Sequence, residues 1–496
     1  MAITPLITAA EAYPALEQLA ANAEQELILS FRIFDHKTPI MSPDLLERGL
    51  NTWADLIHWV ARKGVAIRII LSDFDPVFTP QLHRSAWLHA TGFADGIEGD
   101  VQILCAPHYQ KVGKAWTTLL WPMIRRRMRI LRDADSNRLT PVQREVLQSG
   151  PMLRPATLHQ KCAVADGEHC IIGGIDVNPR RYDDNDHQGD AEQTWHDVSL
   201  QIDGRFAGAL RSHLIDTWNA ALEHGQARSV GDKAYPIKLT NRPQTTEDLR
   251  LLRTMSLPRD GAFAFGPRHH ITENEDVLIK ELRSAKDHIY IETQFLRHKP
   301  VADAILAAGS ASPVLQLIIV MPPEPERILF DGHTGWDARH AHALQSRLLH
   351  RLRDAFGDRL ALISPAQAER APEDMNGELE AAGPVYVHSK VTLIDGRLGI
   401  VGSANLNGRS LRWDTEASVA FTDPDLIQTI QSRLARKWLG IDGDLPDVTR
   451  ATVWNEAAQK NAALSPEERA GFVLPYPLTR ARKFSRLMPI LPNDMF

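Results

Sequence analysis

The chain has 496 residues, of which 43% are hydrophobic and 24% charged, with a formal net charge of −6. That length exceeds what one compact core organises, so two or more domains of an ordinary globular kind are expected. The weak acidity makes no whole-chain case for a nucleic-acid partner, no run of about 18 apolar residues offers a membrane span, and the N-terminus lacks the basic-then-apolar order of a secretory signal.

In chain order, "AAEAYPALEQLAANAEQ" predicts a helix and "ELILSFRIF" a strand. After Ser42 and Pro43, "DLLERGLNTWADLIHWVARKG" has helical period and "VAIRIILSDF" follows as a strand. Residues 121–133, "WPMIRRRMRILRD", are basic and amphipathic: Arg125, Arg126, Arg127, Arg129 and Arg132 lie beside Trp121, Met123, Met128 and Leu131. Such a stretch suits an anionic membrane surface, or a solvated face or partner helix. "HQKCAVAD" then runs from His159 to Asp166, followed by the turn "GGID" and by "TWHDVSLQIDG", a strand that carries Asp197. A helix, "GRFAGALRSHLIDTWNAALEHG", closes this half.

Residues 231–265 are polar and rich in turn formers, and read as a linker. Beyond them the order repeats: helix "NEDVLIKELRSAKD", strand "HIYIETQFL", helix "VADAILAAG", strand "LQLIIVMPP". An acidic loop, residues 364–384, precedes "HSKVTLID" (His388 to Asp395), the turn "GSAN", the strand "DTEASVAF" with Glu416, and the helix "DPDLIQTIQSRLARKWLG". His159 and His388 stand 229 residues apart, a domain-scale duplication. The expected organisation is two similar α/β lobes, 1–230 and 266–440, each a mixed, mostly parallel sheet flanked by helices, with an extension over 441–496. The tail "RARKFSRLMPI" mixes Arg480, Arg482, Lys483 and Arg486 with Phe484, Leu487 and Met488, and suits packing across the lobes or a membrane.

The repeated pattern is H-x-K-x-x-x-x-D. Residues two apart on a strand share a face, so His159 and Lys161 point together, as do His388 and Lys390. Two imidazoles and two ammonium groups at one place suit a phosphodiester. The lysines hold its oxygens, one histidine attacks phosphorus, and the other protonates the departing oxygen. Asp197 and Glu416, one per half, are candidates to hold the imidazoles in one tautomer, with Glu416 expected on His388. The lysines supply the positive charge, so no metal or other cofactor is expected. His340 and His342, two apart on a helix, do not share a face, and His269 and His270 read as incidental. Cys105, Cys162 and Cys170 are too few for a disulfide framework and fit a reducing compartment, with Cys162 and Cys170 as small buried strand residues.

These residues resemble the phospholipase D superfamily, defined by duplicated HKD motifs. "HQKCAVADGEHCIIGGIDVNPRRYDD", "WHDVSLQIDG" and "DTWN" are similar to the first half of its eukaryotic-type members. "LLRTMS", "IYIETQFL" and "VYVHSKVTLIDGRLGIVGSANLNGRS" are similar to the second. The resemblance spans roughly residues 20 to 440, without the regulatory domains of the larger eukaryotic enzymes. It implies lobes related by a pseudo-twofold axis around one site, His159 as nucleophile and His388 as general acid and base. It implies phosphate binding by Lys161, Lys390 and Asn405, with Gly174 and Ser403 of the turns beside the substrate. Asp176 takes Asn405's place in the first copy and is expected to face a headgroup. Asp166 and Asp395 are expected to brace the fold.

The implied activity is hydrolysis of a glycerophospholipid to phosphatidic acid, with transfer to an alcohol where one is present. A cardiolipin-synthase-like phosphatidyltransferase and a nuclease of the same superfamily are the alternatives. The expected protein is a monomer with a phospholipid substrate, peripheral at a membrane and without a nucleic-acid partner. It is expected in the cytoplasm or exported without a signal peptide.

Overall fold

The computed structural model describes residues 2–224, 227–330, 332, 335–372, 375, 377–487 and 492–496. The first lobe holds strands β1 (Ile3–Ile7), β2 (Glu26–Phe31), β3 (Ala66–Ser72), β4 (Val101–Ala106), β5 (Cys162–Ala165), β6 (His169–Gly173), β7 (Val198–Asp203) and β8 (Arg228–Val230). They form one sheet in the order β1-β7-β6-β5-β2-β3-β4-β8. The second lobe holds β9 (Leu249–Leu257), β10 (Arg268–Thr272), β11 (His288–Glu292), β12 (Gln316–Val320), β13 (Leu360–Arg370), β14 (Ala382–Pro384), β15 (Val391–Ile394), β16 (Leu398–Gly402), β17 (Glu416–Phe421) and β18 (Val473–Pro475). Its sheet runs β10-β9-β17-β16-β15-β11-β12-β13-β14, with β18 also paired to β13.

Both lobes are α/β, as expected, but the sheets are mixed with antiparallel pairing in the majority. Among the described residues, parallel pairing between strands is confined to β2–β3–β4 and β11–β12–β13, apart from isolated bridges. Those strands are joined by crossover helices, which parallel neighbours require, whereas the motif strands turn back through tight glycine turns and pair antiparallel. Two further expectations change. Residues 249–257, placed in a linker, are β9, hydrogen-bonded along β17. β1, unread in the sequence, edges the first sheet against β7. The ends of the 364–384 loop are taken up by β13 and β14, and its residues 373, 374 and 376 lie outside the described residues.

Local chemistry explains the elements. Helix Trp53–Arg62 starts on a capping box, in which Thr52 accepts from the Asp55 N–H while Asp55 accepts from the Thr52 N–H, and it buries Trp53, Leu56, Ile57 and Val60. Helix Pro424–Leu439 starts at Asp423, which accepts from two backbone N–H groups, and ends at Gly440 in the left-handed region. The outer face of each sheet packs under its own helices in a separate core. The inner faces share a third core, which runs from Ile28, Val164 and Leu200 through helices Arg205–Glu223 and Pro424–Leu439 to Tyr290, Leu393 and Val419. Cys162 and Cys170 are buried there as thiols, and Cys105 in the first lobe's outer core. The tail helix Leu478–Phe484 packs within the second lobe: Phe484 meets His342, and Arg480 pairs with Glu324 at 3.1 Å. The Arg482 side chain and Met488 lie outside the described residues. No described helix is long and apolar enough to cross a membrane.

Candidate active site

β5 and β15 begin just after the two H-x-K triplets, and both triplets sit at the seam between lobes. Two short parallel bridges make that seam, Leu158 with Thr415 and His196 with Val387. The His159 N–H donates to Thr415 O at 2.8 Å, and the His388 N–H donates to His196 O at 2.8 Å. Each motif is thus docked, through its backbone, beside the carboxylate strand of the other lobe.

The consequence is a crossed pairing. His159 Nδ1 lies 3.1 Å from Glu416 Oε2, and His388 Nδ1 lies 2.7 Å from Asp197 Oδ2. The expectation that Glu416 serves His388 is therefore corrected. Leu158 bridging Thr415 leaves Glu416, the next residue, no nearer imidazole than His159. With Nδ1 facing a carboxylate, each Nε2 is the nitrogen left for chemistry, and that of His159 lies 3.4 Å from Lys161 Nζ. Lys161 Nζ lies 3.2 Å from His159 Nδ1 and bonds the His159 carbonyl at 2.6 Å. Lys390 Nζ lies 3.0 Å from His388 Nδ1 and also bonds the His388 carbonyl.

The turn residues have work other than the substrate contact expected of them. A Cβ on Gly174 would lie 2.0 Å from Asp197 Oδ1, so glycine is what lets that carboxylate reach across the seam. Ser403, fully buried, donates from Oγ to Glu416 Oε2 at 2.5 Å and fixes the other carboxylate. Asn405 is buried with Oδ1 lacking a hydrogen bond. Asp176 does not face an open pocket. It has no exposed surface, Oδ1 accepts from the Ile33 N–H at 2.8 Å, and Oδ2 lies 4.0 Å from Lys161 Nζ. Asp166 and Asp395, both in left-handed backbone, each accept from three successive N–H groups, of residues 24–26 and 286–288 respectively, where β2 and β11 begin. The two copies brace their lobes in the same way.

Burial drives both imidazoles well below their ordinary value, and the neighbouring lysines act in the same direction. It pushes the Glu416 and Asp197 carboxyls up. Lys390 is pushed down to about 7 by burial, against the pull of Asp197. A site so desolvated and so rich in cations attracts an anion strongly.

Three arginines unmarked by the motif add to that field. Arg32 and Arg409 act on His159, and Arg181 acts on His388. The Arg181 guanidinium lies 3.9 Å over the Trp195 ring, whose centroid is 4.8 Å from the His388 ring. Arg409 bonds Asp414 at 3.1 Å. One signal was available: at the 229-residue offset, Asn178 and Arg180 align with Asn407 and Arg409. His269, His270, His340 and His342 are not part of the site. The first two are exposed on β10, and the others pack against the chain's C-terminal aromatics.

Two lobes, each lending a histidine–lysine pair and a carboxylate for its partner's histidine, define a duplicated phosphoryl-transfer site. Comparison agrees. Residues 278–438 match the family described as cardiolipin synthase, PLD-like domain. Phospholipase D1 of Cricetulus griseus is 25% identical over 270 residues, covering 48% of this chain and 25% of that protein. Phospholipase D1 of Saccharomyces cerevisiae is 24% identical over 379 residues, covering 58% of this chain and 22% of that protein. The chain thus spans about a quarter of the length of these curated relatives. The crystal structure of phosphatidylserine synthase from Haemophilus influenzae Rd KW20 shares the fold, with a TM-score of 0.50 at 13% identity over 88% of this chain and 85% of that one. Over residues 278–438 the chain is thus similar to the PLD-like domain family, and in its duplicated motif and fold it is similar to phospholipase D superfamily proteins.

Proposed function

We propose that this protein is a phospholipase D that hydrolyses the headgroup phosphodiester of a glycerophospholipid to phosphatidic acid. The crossed His159–Glu416 and His388–Asp197 pairs, each with a lysine on its imidazole, carry this reading. His159 Nε2 attacks phosphorus, the bond from phosphorus to the headgroup oxygen breaks, and His388 gives that oxygen its proton. His388 then takes a proton from water, whose oxygen attacks phosphorus and breaks the phosphorus–nitrogen bond, which restores His159. An alcohol in place of water yields a transfer product. Lys161, Lys390 and Asn405 hold the phosphoryl oxygens. The first step needs His388 protonated. The phosphodiester's negative charge supplies that shift by offsetting the lysine charges that depress it.

A peripheral membrane contact accompanies the reading. β5 runs antiparallel to β2, so its start, with His159 and Lys161, lies at the same sheet edge as the ends of β2, β3 and β4. Helix Trp121–Arg132 belongs to the excursion between the end of β4 and the start of β5. It buries Ile124, Met128 and Leu131 while exposing five arginines together with Trp121, Met123 and Ile130. Beside this excursion, the turn after β9 presents Phe263 at 81% exposure, and the Trp116 indole donates to the Phe263 carbonyl at 3.0 Å. Arginines interleaved with exposed apolar side chains complement an anionic lipid surface.

The test is incubation with vesicles of mixed phospholipids, with and without ethanol, beside a plasmid. Phosphatidic acid, and phosphatidylethanol when ethanol is present, is expected. Cardiolipin formed from phosphatidylglycerol selects the phosphatidyltransferase, which the matched family description favours. DNA cleavage alone overturns a lipid substrate.

A further inference from the structure

Away from the seam, the loop that leaves β2 brings three metal-ligating groups to one point. His36 Nδ1 lies 3.2 Å from His89 Nδ1, Asp35 Oδ1 lies 3.1 Å from His89 Nδ1, and Asp35 Oδ1 lies 3.7 Å from His36 Nδ1. All three atoms converge within 4.8 Å of one another. A tetrahedral Zn²⁺ with bonds of about 2.0–2.1 Å sets neighbouring donors about 3.3–3.4 Å apart, whereas octahedral geometry at that bond length sets them about 2.9 Å apart. The observed separations straddle the tetrahedral value. Two imidazoles and one carboxylate are also a donor set that zinc favours over the harder magnesium or calcium.

We propose that Asp35, His36 and His89 form a zinc site with solvent in the fourth position. Besides meeting His89, Asp35 Oδ1 accepts from the Lys37 N–H at 2.9 Å. Once the His89 Nδ1–H is shared between Asp35 and His36, the lone pair on His36 Nδ1 faces a carboxylate. The groups behind the donors are ordered as a metal site requires. His89 Nε2 meets Ser85 Oγ at 2.9 Å, and that hydroxyl can accept from an Nε2–H once Nδ1 is given to the ion. The His36 ring lies so close over Gly92 that a Cβ there would come within 2.3 Å of it. The side chains of Asp35, His36 and His89 keep 15%, 11% and 9% exposure, enough for a water to reach the ion.

The site joins two elements that nothing in the motif links. Asp35 and His36 lie on the segment after β2, and His89 lies on helix Pro80–Ala94. That segment begins with Arg32, whose charge acts on His159, and Ile33, whose N–H holds Asp176. The Asp35 N–H also bonds the Val177 carbonyl at 2.8 Å. The ion therefore clips the loop that forms the first lobe's wall of the seam. Its role is positional and involves no reacting atom.

The test uses the full chain, freed of metal with a chelator and titrated with ZnCl₂ alone. One equivalent is expected to bind and to raise the melting temperature. His36→Gln and His89→Gln should each weaken binding at least tenfold while keeping the wild-type circular dichroism. Because the His36 ring is tightly packed, Asp35→Asn stands in where a histidine variant fails to fold, and it must show the same weakening. The double variant His159→Ala/His388→Ala must still bind one equivalent. The proposal is overturned if the wild type binds no zinc, if the folded cluster variants keep wild-type affinity, or if the catalytic double variant loses the equivalent.

Discussion

At the scale of single residues, the site depends on which carboxylate faces which histidine. Asp197 and Glu416 were readable as candidates, because each sits on a strand just beyond a motif turn. Their partners were not readable, because the pairing is set by two bridges between segments 257 and 191 residues apart. Glu416→Gln should remove the downfield Nδ1–H resonance of His159 and leave that of His388 in place, and Asp197→Asn should do the reverse. Each should lower kcat by about 10²–10⁴, the range of a mispositioned acid or base. The opposite assignment of resonances would restore the uncrossed arrangement. A second prediction concerns pH. Lys390 is pushed down to about 7, so the free protein loses this ammonium as pH rises through that value. kcat/KM for an anionic phosphodiester should then fall on the alkaline side from about pH 7. The limb in kcat should lie higher, since bound phosphate favours the charged amine. Lys390→Arg should abolish the limb, whatever its cost to the rate, because guanidinium stays charged. Arg32 and Arg181 escaped the reading because one arginine among many carries no spacing signal, whereas Arg409 had one in its alignment with Arg180 at the repeat offset.

At the scale of elements, helical and strand periods were legible wherever one face is buried, and the helix–strand alternation predicted the lobes. Strand direction was less legible. β5–β6 and β15–β16 are buried on both faces, so their sequences look like the apolar runs of parallel strands, while tight turns make them antiparallel. β9 was lost in a polar neighbourhood because its residues alternate between buried and half-buried. Helix Trp121–Arg132 shows what burial adds to a pattern: the structure turns Met128 and Leu131 inward and leaves Trp121, Met123 and the arginines outward. A basic residue beside an anionic bilayer contributes about 1 kcal/mol. Reversing Arg125, Arg126 and Arg129 to Glu should therefore weaken cosedimentation with phosphatidylserine-containing vesicles by about 100-fold or more. Turnover of a short-chain monomeric phospholipid should change little, because none of the three appears among the charges acting on the catalytic histidines. Equal loss on vesicles and monomers would show that this helix serves the site rather than the surface.

At the scale of the molecule, the lobes share more than a seam. The inner core is continuous from the first sheet to the second, and a buried polar network crosses it directly beneath the catalytic pairs. His196 of the first lobe places Nε2 2.9 Å from Glu292 of the second. Glu292 also accepts from the Ser389 and Tyr290 hydroxyls and the Trp438 indole, each at 2.6 Å. Ser389 stands between His388 and Lys390, so the network fixes the height of the second motif on the seam. A lobe that opened alone would expose half of a common core and strand a fully buried carboxylate. Both outcomes cost more than the marginal stability a domain has in reserve. The protein should therefore unfold in one calorimetric transition, with activity lost in step with the far-UV signal, since each histidine depends on a carboxylate from the other lobe. Glu292→Ala should lower the unfolding free energy by about 3–5 kcal/mol, the cost of removing one partner from a buried pair. It should move the transition without splitting it. Two resolved transitions, in the wild type or in Glu292→Ala, would mean that the lobes fold separately and that the network orients the motif without joining the halves.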